Sequence, residues 1–171
     1  MNKKQPKPII KPFAKDMAKE FFKVGIKEWI EDSDNTVCHE IVATVNLAFT
    51  AEVCMKAELG CNRDLKSWHN LKDLYDQLNS EIRNQIFEKY KELLGECDRN
   101  QFEKELQESG LAFEIGRYFY EGDFEGEKIL QTSFILNFST AVLMALQGVS
   151  MQDLVELTGY QFTKEDLFEL L

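Results

Sequence analysis

The sequence predicts an all-α fold, an up-and-down helical bundle built on a long antiparallel helix hairpin. Three observations carry that prediction. Apolar residues recur at three- and four-residue steps through most of the chain, no stretch alternates convincingly with the two-residue period of a strand, and 44% of the 171 residues are apolar, enough for one full core. Residues 13–171 therefore read as a single helical domain. Residues 1–12 hold all three prolines together with Lys3, Lys4, Lys7 and Lys11, and read as a flexible basic leader. No internal repeat or low-complexity tract interrupts the pattern.

The first helix is expected from residue 13 to about 31, on a wide stripe of Met17, Phe21, Phe22, Ile26, Trp29 and Ile30, with Gly25 as a weak point. Ser33, Asp34 and Asn35 form a capping joint to a second helix over about 36–59, buried through Leu47, Ala48, Ala51, Cys54, Met55 and Leu59. These two helices form the hairpin. Gly60 and Asn62 end the second helix, and Asn70 with Asp73 caps a third whose buried face is Leu71, Leu74, Tyr75 and Leu78. Ser80 is placed as cap of a fourth helix running through Leu94, with Gly95 as its stop. A charged, peripheral fifth begins at Asp98 and is anchored by Phe102 and Leu106.

Residues 111–121 contain too many aromatics and glycines for a regular pattern and read as an irregular, partly buried segment holding Arg117 among aromatic rings. Residues 127–147 are apolar most of the way round, which suits either the centre of a bundle or one half of a homodimer seam. Gly148 ends that helix, Ser150 caps a short one to Thr158, and Thr163 caps a last one over 163–171.

Thirty acidic against 20 basic residues give a formal charge of −10, which excludes broad capture of nucleic acid through its phosphates and leaves only a locally concentrated basic site. No apolar run reaches the length of a membrane span and no signal-peptide core follows the basic start, so a cytoplasmic protein without membrane association is expected. The four cysteines lack the close pairing of a zinc ribbon or a disulfide framework, and reduced thiols follow. No H-E-x-x-H or E-x-x-H spacing occurs, the glycines of 116–126 lack the lysine of a phosphate loop, and no metal or cofactor is predicted.

Only two histidines are present, so imidazole acid–base chemistry falls to His39 or His69. Glu52 and Lys56 stand four apart with the acid first, the favourable order for a helical ion pair, and His69 opens the third helix. The run of Ala48, Phe49, Glu52, Lys56, Ala57 and Leu59, followed by His69, Asn70, Leu71, Leu74 and Leu78, resembles the HEPN family (higher eukaryote and prokaryote nucleotide-binding domains). The segment FEIGRYFYE at 113–121 is similar to one found in some bacterial members, and the two stretches cover about a third of the chain. The resemblance implies a helical, commonly homodimeric domain directed at RNA or a nucleotide, of the stress, defence or toxin–antitoxin type, and in some members a metal-independent endoribonuclease.

It further implies His69 and Arg117 as catalytic candidates, with Glu52, Lys56, Tyr118 and Glu121 as binding candidates. Arg63, Asp64 and His69 repeat the arginine, polar, histidine order of the family's ribonucleases, here in the loop before the third helix. Arg63 is therefore a further catalytic candidate. Lys56 and Arg117 suit a phosphate, one as a point charge and the other as a planar fork, while His69 suits proton transfer at a ribose hydroxyl. The same residues fit a second class of function, a non-catalytic helical module for a protein partner, in which Glu52, Lys56, His69 and Arg117 form a half-buried structural network.

Overall fold

A computed structural model describes residues 13–31, 37–60, 69–118 and 131–162, with Val37, Arg117 and Tyr118 described at the backbone only. All of its regular structure is helical: α1 (Ala14–Glu31), α2 (Val37–Glu58), α3 (Leu71–Gln77), α4 (Ser80–Leu94), α5 (Arg99–Glu108), α6 (Ala112–Tyr118), α7 (Thr132–Gln147) and α8 (Met151–Thr158). The leader at 1–12, the caps at 33–35 and the last helix expected over 163–171 lie outside the described residues, as do Arg63, Asp64 and Glu121.

Helices α1 and α2 form the predicted antiparallel hairpin. The contacts His39–Glu28, Leu47–Gly25 and Phe49–Phe21 advance along α2 as they retreat along α1. The α1 face against α2 is narrower than its apolar stripe. Ala14, Ala18, Phe22, Gly25 and Ile26 are buried, whereas Met17 and Ile30 are exposed. Small residues dominate this face because the two axes come close: a Cβ on Gly25 would lie 2.8 Å from Leu47 Cγ. The glycine read as a weak point is therefore what lets the hairpin close.

Helix α7 runs parallel to α2 and is the centre of the bundle. Thr44 donates to the Thr132 hydroxyl (2.8 Å), Thr132 donates to Glu40 (3.0 Å), and at the other end Gln147 Nε2 reaches Cys54 Sγ (3.0 Å). Twelve residues between Thr132 and Met144 are buried within this one chain. That apolarity is accounted for by bundle packing, and a dimer seam on α7 is not required to explain it. Among the described residues no single helix is long and apolar enough to cross a membrane.

The fifth helix carries more of the core than its polar composition suggested. Phe102 is fully buried and packs against the rings of Tyr75, Phe87, Tyr90, Phe134 and Phe138 at centroid distances of 4.9–6.1 Å. A cap also differs from expectation. Asn79, not Ser80, occupies the N-cap of α4, its side chain accepting from the Ile82 amide, because the chain already turns helical at Ser80.

The largest departure is α6, where residues 112–118 form a helix rather than an irregular segment. Tertiary packing overrides the poor local propensity. Ala112, Phe113, Ile115 and Gly116 are buried, and α6 lies on α2 so closely that a Cβ on Gly116 would sit 2.4 Å from Val45 Cγ2.

Candidate functional site

The site grows from two helix ends and one crossing. On α2, Glu52 faces inward beside the buried stripe and its side chain is 2% exposed. Lys56 lies one turn on, and its ammonium donates to Glu52 Oε1 at 2.7 Å, as the four-residue spacing predicted. His69 is brought to the same carboxylate by the start of α3. Asn70 caps that helix, its side-chain oxygen accepting from the amides of Lys72 and Asp73, while the Leu71 amide donates to the Gly110 carbonyl at 2.8 Å. The cap and this tie to the turn before α6 fix the backbone that carries the imidazole.

His69 Nδ1 lies 3.2 Å from Glu52 Oε1 and 3.1 Å from Oε2. A carboxylate only accepts, so Nδ1 carries the proton toward it and Nε2 is left as the acceptor nitrogen of the neutral ring. Among the described residues Nε2 makes no hydrogen bond. The ring is 27% exposed, in contrast to the enclosed carboxylate.

The third contributor is α6. The Phe113 ring stacks on His69 at 5.1 Å and on Phe49 at 5.0 Å, and Phe49 in turn meets Phe21 of α1 at 4.5 Å. This run of rings holds the imidazole plane from below while Glu52 holds its edge. Phe49 and Phe113 are the residues that sequence reasoning left out of the site. Both stood inside the two resembling stretches, and the signal was their position, one turn before Glu52 and at the head of the second segment.

The sequence-predicted set is thus partly assembled. Glu52, Lys56 and His69 meet in one network that α6 reaches through Phe113, while Gly116, next to Arg117, packs farther toward the start of α2 against Val45 and Ile41. The side chains of Arg117 and Tyr118, together with Arg63 and Glu121, lie outside the described residues. His39 is elsewhere, at the first turn of α2, with Nδ1 2.7 Å from Glu28 Oε2. Cys54 faces the core, where burial pushes its thiol up to about 12 against a partial offset from Gln147, so it is protonated and unreactive at neutral pH.

The arrangement offers an oriented imidazole with one available nitrogen, a neighbouring ammonium, and a carboxylate that serves both. Such a set can accept or return a proton next to a bound anion. No family model, no curated protein and no solved structure matches the chain.

Proposed function

We propose that this chain is a HEPN-like, RNA- or nucleotide-directed domain of the stress, defence or toxin–antitoxin type, acting as a metal-independent endoribonuclease. The observation that carries the proposal is the Glu52 carboxylate on Nδ1 of His69, which leaves Nε2 as the acceptor nitrogen of a partly exposed ring stacked on Phe113. In this reading Nε2 takes the proton of a ribose 2′-hydroxyl as that oxygen attacks the adjacent phosphorus. The P–O5′ bond breaks and the proton passes to the departing 5′-oxygen. Lys56, with Arg117 of α6 as a second cation, holds the phosphate. The formal charge of −10 fits a few localised contacts rather than a broad basic face. Assembly as a homodimer belongs to the same proposal, as does the cytoplasm as its place of action.

A second reading is favoured by one feature, the near-complete burial of Glu52 between Lys56 on α2 and His69 just before α3. There the network ties two elements together, and the domain is a non-catalytic module for a protein partner. Purified protein incubated with total RNA separates the two, with wild type beside His69→Ala and Arg117→Ala and circular dichroism as the folding control. Cleavage by the wild type that is lost in folded variants supports the enzyme. Intact RNA with every version across a range of salt supports the module.

A further inference from the structure

We infer that Glu28, Glu31 and His39 form a binding site for one divalent transition-metal ion of the zinc type at the closed end of the α1–α2 hairpin. Two helices supply the donors. Glu28 and Glu31 stand three apart in the last turn of α1, and His39 lies in the first turn of α2. One ligand atom from each lies within 4.8 Å of the others. Ligand atoms held at about 2.1 Å by one tetrahedral ion stand about 3.4 Å apart, so side-chain adjustment alone brings the three into place.

The donor chemistry selects the ion. One imidazole nitrogen with two carboxylate oxygens is a borderline set, suited to zinc and its neighbours, whereas calcium and magnesium require shells built wholly of oxygen. Three protein ligands leave a fourth position to water. The charge placement points the same way. Helix α1 has no basic residue in its last turn and instead sets two carboxylates against the negative end of its own dipole. The pair Lys27–Glu31, at 3.7 Å with both side chains more than half exposed, relieves little of that repulsion. A divalent cation between Glu28 and Glu31 removes it and clamps the hairpin across its joint.

The site is separate from the Glu52–His69 network. Glu52 stands thirteen positions after His39 on α2, about 20 Å along the helix axis, so the inference stands or falls independently of RNA cleavage. No short-range spacing marks it, because the histidine lies on the next helix rather than one turn away.

The test is calorimetric titration of the full chain with zinc chloride under reducing conditions, with cobalt absorption spectra beside it. We expect one ion per chain, binding weakened by more than about tenfold in both His39→Ala and Glu31→Gln, and a cobalt spectrum without a thiolate charge-transfer band. Glu31→Gln leaves the His39–Glu28 pair in place at a half-exposed position, so an unchanged circular dichroism spectrum separates a lost ligand from a lost fold. Absence of zinc uptake by the wild type overturns the inference. Uptake that survives either substitution, or a thiolate band placing the ion on cysteines such as neighbouring Cys38, overturns it equally.

Discussion

Removing the Glu52 carboxylate should destabilise the bundle as well as disable the site, and the size of the effect can be worked from the geometry. Glu52→Ala deletes two charge-directed contacts, Lys56 at 2.7 Å and His69 at 3.1 Å, from a carboxylate that is 2% exposed. Breaking a fully buried ion pair from one side costs about 3–5 kcal/mol, most of it from the charge left stranded. Here the stranded groups are only partly enclosed. Lys56 is 16% and His69 27% exposed, so both recover some hydration. The expected loss is therefore about 2–3 kcal/mol, the range of a hydrogen bond to a charged group with some packing added. Glu52→Gln keeps an acceptor and should lose about half as much. Urea unfolding followed by circular dichroism measures both, and a cycle with Lys56→Met isolates the coupling. If Glu52→Ala changes stability by less than about 0.5 kcal/mol, in the range of an ordinary surface substitution, the carboxylate does not organise this region.

Gly25→Ala should destabilise by about 1 kcal/mol. The added Cβ meets Leu47 Cγ at 2.8 Å and the Leu47 backbone nitrogen at 3.2 Å, and overpacking of about 1–3 kcal/mol outweighs a propensity gain of about 1 kcal/mol. A more stable variant in the same urea assay would show that the hairpin is not tightly apposed there. Phe102→Ala should cost about 3–5 kcal/mol, because the ring is fully buried among five others. A loss below 1 kcal/mol, the scale of a single methylene, would place α5 at the periphery after all. Burial raises the Cys54 thiol from 9.0 to about 12 and the Tyr75 phenol from 10.0 to about 12, and it raises Tyr90 as well, with Glu105 adding to the effect. In each case the folded state holds its proton longer than the unfolded one, so this stability is complete below pH 9 and is lost as pH rises toward 12. Unfolding free energies that stay level from pH 8 to 11 contradict that linkage.

Apart from the α4 cap, which is Asn79 rather than Ser80, local signals were legible in the sequence where a single helix decided the outcome. The Leu47 to Met55 stripe, the Glu52–Lys56 pair, the Asn70 cap and the Ser150 cap of α8, completed by Asp153, all depend on residues within a turn or so of each other. Most of what escaped depends on a neighbouring helix. Residues 112–118 are poor helix formers by composition and become helical because Phe113 stacks on Phe49 of α2 and Gly116 permits the approach. Met17 and Ile30 share the periodicity of Phe22 and Ile26, yet the line of closest contact with α2 passes through the small residues instead. The contact of Glu52 with His69 joins residues 17 apart in the chain, so no fixed spacing announces it. Both its partners were nonetheless chosen as candidates, through the resemblance and through the rarity of histidine in the chain. The ring of Phe113 beneath His69 required the fold.

The most direct measurement is the ring-nitrogen NMR spectrum of His69, which is simple to assign because the chain has only two histidines. With Glu52 holding Nδ1, the neutral ring should show a protonated Nδ1 and an unprotonated Nε2, and Glu52→Gln should shift that balance toward a mixture of tautomers. A neutral His69 protonated at Nε2 in the wild type, or a spectrum indifferent to Glu52→Gln, would leave the imidazole without the orientation on which its assigned chemistry rests.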